Sequence, residues 1–245
     1  MKPDISLLPE TWPIPDSIRN RLGRQPGPQR AMLEEGHLLI ILHQVPQPDQ
    51  HQRKAALFWR SQEGEWKSNL SREGGGLAAL SEHLQTYEQK LTALETAENK
   101  ASTAAEYHTV LEALAPVLRS SRGLHRALQQ AREMMKAERE LINLRDQAAG
   151  IERTSELLLQ DAQFGLNYIT ARQAEAQAAT ARQMASTAHR LNLLAALFLP
   201  LTALASIFGM DIHSRVPDTH MNFWLICITG LLMGITFIAT LGKRG

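Results

Sequence analysis

Four side chains able to meet a cation fall between positions 211 and 220: Asp211, His213, Asp218 and His220. Carboxylate oxygens and imidazole nitrogens are the ligand types of zinc and related metals. A carboxylate also accepts hydrogen bonds from the waters that magnesium keeps. The spacing matches no closed four-ligand site, so the histidines read as part of a solvated loop. Asp211 ends the run Gly209-Met210-Asp211, and its carboxylate could accept hydrogen bonds from the ion's waters. Enzymatic constellations are missing from the sequence. Gly74-Gly75-Gly76 has no following Lys-Ser or Lys-Thr, there is no nucleophile elbow, and there is no His-Glu-x-x-His. The chain reads as a protein that is not an enzyme.

The elements that must position Asp211 are two uncharged apolar segments, LNLLAALFLPLTALASIFGM at 191–210 and NFWLICITGLLMGITFIATL at 222–241. Each has the roughly 20 residues that a helix needs to cross ~30 Å of hydrocarbon, which predicts a membrane hairpin. His189 and Arg190 precede the first segment, Lys243 and Arg244 follow the second, and Arg215 is the only Lys or Arg of the loop. This asymmetry predicts that both termini are cytoplasmic. Gly230 and Gly234 form a Gly-xxx-Gly face that predicts close packing of the second segment on the first.

Here the sequence resembles a family. The run Phe198-Leu199-Pro200-Leu201-Thr202, the nine-residue step from Pro200 to Gly209-Met210-Asp211, Val216-Pro217-Asp218 in the loop and Phe223-Trp224 beyond it resemble the CorA-type divalent-cation channels. That family has an F-M-P-L-T run, a Gly-Met-Asn signature and a Met-Pro-Glu loop; the departure is Asp211, where the family has Asn. The resemblance implies a homo-oligomeric divalent-cation channel of the inner (plasma) membrane, a homopentamer in contact with lipid. Gly209, Met210 and Asp211 would form the outer selectivity filter, and Asp218 would attract cations. The stripe Leu191, Ala195, Leu199, Thr202, Ser206, which follows helical steps of three and four, would line the pore. Mg2+ is the first choice of ion, with Zn2+, Co2+ and Ni2+ as others, and no covalently bound cofactor is implied. Two alternatives remain: a CorA-fold transporter of zinc or another divalent ion, and a membrane-anchored oligomeric scaffold or sensor without selective transport.

The remaining sequence sets the rest of the organisation. A net charge of +1 over 245 residues argues against a nucleic-acid partner. Cys227 is the sole cysteine, so there is no disulfide framework. No signal peptide is visible at 1–10. Residues 1–29 are rich in proline and read as an irregular lead-in with one short helix near 16–22 and little weight in the fold. Strands are predicted at 37–43, 54–60 and 65–69, a small sheet for which the resemblance implies a reduced α/β domain over 1–76. Beyond Gly76 the period turns helical: Leu77, Leu80, Leu84, Tyr87, Leu91 and Leu94 mark one helix. A second is predicted over 102–147, with Leu111, Leu114, Leu118, Leu128 and Met135 buried, Pro116 and Gly123 as bends, and a corner at Gly150. These are the outer antiparallel helices of 77–150. No proline follows Glu152 before Pro200, and eight alanines lie between 171 and 188, so one long helix is predicted over 151–211; the resemblance implies that it is stalk and pore wall, with a plain coiled-coil stem as the alternative. An external loop at 212–221 and a second span with its tail at 222–245 complete the chain. Glu152, Glu156 and Asp161 at the stalk base are either an inter-subunit ion sensor or a solvated helix face. The expected fold class is an α-helical membrane protein with a small cytoplasmic α/β domain.

Overall fold

The computed structural model describes residues 7–47, 53–71, 75–209 and 220–242, with only part of the side chains beyond 200. The chain divides into two compact units, Met1–Ala171 and Arg172–Gly245. In chain order the elements are α1 (Asp16–Arg19), β1 (Arg30–Glu34), β2 (His37–His43), β3 (Ala55–Arg60), β4 (Trp66–Ser68), α2 (Gly76–Lys100), α3 (Ala104–Met134), α4 (Glu140–Gly209) and α5 (His220–Gly242).

The first unit is built on an antiparallel meander, β1-β2-β3-β4. Glu34 pairs with His37 across the two-residue turn Glu35-Gly36, whose φ values of 51° and 76° are both left-handed. That geometry matches the twist of a hairpin, and glycine takes it without strain. β1 is not among the expected strands. Its run Arg-Ala-Met-Leu-Glu alternates weakly, and only the Glu-Gly turn before β2 announces it.

β2 reads as a continuous apolar run because both of its faces are covered. Leu38, Ile40 and Leu42 join Ala56 and Phe58 in a core with α2, α3 and the start of α4. Leu39 and Ile41 face the other way, into a second core with Leu57, Trp59, Leu8, Trp12, Ile14 and Ile18. Residues 7–22 therefore carry real weight in the fold, contrary to the expectation of a minor lead-in. Trp12 stacks on Trp59 with ring centroids 6.0 Å apart. Arg19 ties the segment down by donating to the carbonyls of Trp12 at 2.6 Å and Ile14 at 3.2 Å.

The helices follow heptad-like seams. On α2 the buried residues include Leu80, Leu84, Tyr87, Leu91 and Leu94; on α4 they include Leu141, Leu144, Ala148, Ile151, Ser155, Leu158 and Ala162. Steps of three and four keep each set on one face. α3 starts with a capping box, Thr103 accepting from the Glu106 N–H at 3.3 Å and Glu106 accepting from the Thr103 N–H at 3.0 Å. It passes through Pro116 and Gly123 and stops at Met134. The corner lies at 135–139 and not at Gly150, which sits inside α4 with nothing near its missing Cβ. The corner is held by the sheet: Arg60 at the end of β3 bonds Glu138 at 3.0 Å with both side chains about four-fifths buried.

The second unit corrects the expected fold class. Among the described residues no helix is long and apolar enough to cross a membrane. The α-helical membrane fold, its transmembrane helices, the multi-pass inner-membrane location with cytoplasmic termini and the lipid contact are therefore not supported. The membrane-spanning cation channel falls with them, as do the CorA-fold transporter and the membrane-anchored scaffold.

Gly76 and Gly150 give a matched test of this packing. A Cβ on Gly76 would stand 2.5 Å from the Lys67 backbone nitrogen and 2.6 Å from the Trp66 carbonyl carbon. Neither backbone atom can turn aside, so Gly76→Ala should destabilise the protein by about 1–3 kcal/mol. Gly150→Ala, in open space on a helix, should stabilise it by about 0.5–1 kcal/mol. Urea unfolding of the two variants checks both signs, and a destabilised Gly150→Ala would mean that α4 does not run through this position as a helix.

Candidate functional site

Of the residues singled out for cation chemistry, Leu191, Ala195, Leu199, Thr202 and Ser206 lie on α4 in the second unit, and all are exposed. Thr202 Oγ1 donates to the carbonyls of Phe198 and Leu199, both at 3.0 Å. Its hydrogen is thus used within the helix, and its oxygen keeps acceptor capacity for water. Gly209 ends α4, while Met210, Asp211, His213 and Asp218 lie outside the described residues. Among the described residues no three His, Cys, Asp or Glu side chains group so as to hold a metal ion.

The Gly-xxx-Gly expectation is met at Gly234. A Cβ there would come within 3.1 Å of the Leu197 carbonyl oxygen and 3.2 Å of its Cα, so α5 lies directly against the α4 backbone. Gly230, Gly234 and Ala196 are buried, whereas Leu191, Leu194, Phe198, Leu199, Trp224, Leu225, Ile228 and Leu232 are exposed.

The acids at the start of α4 are engaged with α3. Glu152 meets His125 Nδ1 at 2.7 Å, and Glu156 accepts from Arg122 at 2.8 Å. Arg122 also lies 3.9 Å from Glu152. These two carboxylates serve the contact between α3 and α4, while Asp161 is exposed.

A polar cluster that the sequence does not announce lies at the end of β2. The ladder with β1 stops at Arg30 opposite Ile41, and the Gln29 side chain takes over from it. Gln29 Oε1 accepts from the His43 N–H at 3.2 Å, and its Nε2 donates to the Ser120 carbonyl on α3 at 2.7 Å. The His43 carbonyl accepts twice, from the Tyr87 hydroxyl at 2.9 Å and from His83 Nε2 at 3.0 Å. With its hydrogen so directed, Tyr87 accepts from the Ser120 hydroxyl at 2.6 Å. His43 Nε2 donates in turn to the Gly27 carbonyl at 2.8 Å. Both histidines are buried, and burial favours the neutral ring over the opposing pull of the carbonyl each one meets. Burial pushes His83 down to about 4, against the opposing bond to His43. Burial also lowers His43, with a smaller push from Arg53. Tyr87 is driven up to about 12, again by burial. The only sequence signal is a polar residue at a core position, His83 and Tyr87 standing in the α2 seam and Ser120 among the buried residues of α3.

Comparisons with known proteins bear on residues 76–243, which match the family described as CorA-like Mg2+ transporter protein. No curated protein matches the chain. Similar solved structures include the CorA magnesium transporter from Methanocaldococcus jannaschii, at 13% identity over 90% of this chain and 80% of that one, TM-score 0.36. The ZntB cytoplasmic domain from Vibrio parahaemolyticus is similar at 14% identity over 66% of this chain and 80% of that one, TM-score 0.46. The full-length CmaX protein is similar at 15% identity over 93% and 79%, TM-score 0.45.

The neutral His83 makes stability depend on pH. The unfolded chain takes up the proton at the ordinary histidine pKa of about 6.5, while the folded protein resists until about 4. Protons therefore favour unfolding across this window. Stability is whole above about pH 6.5 and should fall by on the order of 3 kcal/mol by pH 4 from this residue. His83→Gln, which keeps a donor for the His43 carbonyl, should flatten the fall measured by denaturant titration at several pH values. An unchanged slope in the variant would show that His83 is not held neutral in the folded protein.

Proposed function

Because this chain belongs to the CorA-like Mg2+ transporter protein family, we propose that it works in divalent-cation handling as an assembly of identical copies, with Mg2+ its first ion and Zn2+, Co2+ or Ni2+ the others. The family is one of transporters and not of enzymes. The observation that carries the assembly is a stripe on α4 within the first unit. Leu157, Phe164 and Tyr168, seven and four residues apart, are 50%, 69% and 66% exposed. They share one face of the helix, away from the seam of Leu158 and Ala162. Such a row on one helix is the pattern by which helices of separate chains pack together.

Asp211 is the group proposed to meet the ion, through the ion's waters, with Gly209 and Met210 beside it in the sequence and Asp218 drawing cations towards it. Leu191, Ala195, Leu199, Thr202 and Ser206 are proposed to face the axis of the assembly. Support comes from the family match, which runs through both α4 and α5, and from the helical spacing of these residues.

Native mass measurement at micromolar concentration should find a defined oligomer of the full chain. Burial of an apolar side chain contributes about 1.5–3 kcal/mol, so Phe164→Ser with Tyr168→Ser should weaken association by about 100-fold or more. A monomer throughout would overturn the reading. Equilibrium dialysis against Mg2+ should show binding that Asp211→Ala reduces without changing the oligomer; binding unaffected by Asp211→Ala would remove that residue from the site.

A further inference from the structure

A cavity of about 310 Å³ opens in the first unit between the end of β2, the start of β3 and the middle of α3. Its floor is the polar cluster described above, Gln29, His43 and Ser120. Its walls are apolar and stiff at Val45, Pro46 and Pro116. Four cations stand around it: Arg53 and Lys54 before β3, and Arg119 and Arg126 on α3. Among the described residues none that lines it is acidic, and none of the four cations forms an ion pair. Arg119 and Arg126 are seven residues apart, so they project from one face of α3 about 10 Å from each other. The Arg119 Nε donates to the Ala115 carbonyl at 3.3 Å, which steadies the side chain and leaves its terminal nitrogens for a ligand.

This concentration of positive charge stands out in a chain whose net charge as a whole is only +1. A buried neutral floor adds no compensating negative charge. Guanidinium groups match the oxygens of a phosphate in a bidentate fork, and a lysine adds a mobile point charge. The size is at the lower end for small-molecule sites, and the proline and valine walls suit the sugar or ring of a compact organic molecule. Gly123 keeps the site open, since a Cβ there would lie 2.5 Å from Gln29 Nε2 and push that side chain off its place.

We propose that this cavity binds a small phosphate-bearing ligand, with the phosphoryl oxygens held by Arg119, Arg126, Arg53 and Lys54. The inference rests on the cavity alone and is independent of the assembly and of Asp211. A phosphate group could be presented free or on an organic carrier, and the experiment separates the two.

The full chain, free of divalent ions and at low salt, is titrated calorimetrically with inorganic phosphate, ribose 5-phosphate and AMP. Saturable binding of one ligand per chain is expected for at least one of the three, weakening as NaCl is raised. Binding by inorganic phosphate as tight as by the other two assigns the site to the free anion; tighter binding of ribose 5-phosphate or AMP assigns it to an organic phosphate. Loss of charge-assisted bonds should weaken binding about tenfold or more in Arg119→Gln with Arg126→Gln. Arg153→Gln, on an exposed part of α4, should bind as the native chain does. If the double variant has a lowered thermal midpoint, Lys54→Gln alone is the deciding variant, and it too should bind more weakly than the native chain. No saturable binding of any of the three, or equal binding by the charge-neutralised variants, would overturn the proposal.

Discussion

The first unit depends on covering both faces of one strand. Leu38, Leu39, Ile40, Ile41 and Leu42 of β2 are all completely buried. An antiparallel sheet of four strands commonly leaves one face to water, but alternate residues of β2 point to opposite sides and every one of them is apolar. Each cover is therefore obligatory. On one side α2 and α3 supply it; on the other, the segment with Trp12, Ile14 and Ile18 does. At about 1.5–3 kcal/mol for each large apolar side chain, leaving either face open would cost more than a typical domain can spare.

Burial of β2 to its last residue creates a second demand. The backbone of His43 is as enclosed as the leucines before it, and an unpaired buried amide or carbonyl is expensive. Gln29, His83 and Tyr87 meet that demand, and Ser120 carries the chain of hydrogen bonds onto α3. The cluster is thus a consequence of the sheet's depth. It also gives α3 a register: Gln29 reaches the Ser120 carbonyl because Gly123, three residues on, leaves room for it. The result is a surface at the strand end that is polar but uncharged, beside which the cations of Arg119 and Arg126 meet no acid among the described residues.

The helices were legible because their seams repeat at three and four residues over long stretches, a signal that tertiary contacts reinforce. The strands at His37–His43 and Ala55–Arg60 were legible as apolar runs bounded by polar residues. What escaped was set by contacts distant in sequence. β1 is short, and the weight of Trp12 and Ile18 depends on a sheet face they meet across the chain. The corner at 135–139 depends on Arg60 reaching Glu138, whereas Gly150 offered a local signal with no structural counterpart. Two apolar segments near the C-terminus have the composition and length expected of membrane spans, but no described helix meets that standard. The polar cluster joins residues as far apart as Gln29 and Ser120, and no spacing rule connects them.

Glycine recurs at the contacts between layers. Gly76 brings α2 against β4, Gly123 admits Gln29 to α3, Gly165 accepts the ring of Tyr107, and Gly234 brings α5 against the backbone of α4. In each case a Cβ would come closer to a neighbouring atom than ordinary van der Waals contact allows, so the residue sets a distance between two elements. In the second unit this has a further result. The described buried positions there are Ala196, Gly230 and Gly234, all small, so the contact between α4 and α5 encloses no large side chain among the described residues. Leu191, Phe198, Leu225 and Leu232 are exposed, so among the described residues the contact between α4 and α5 is set by the close backbone approach at Gly234 and not by interlocking large side chains.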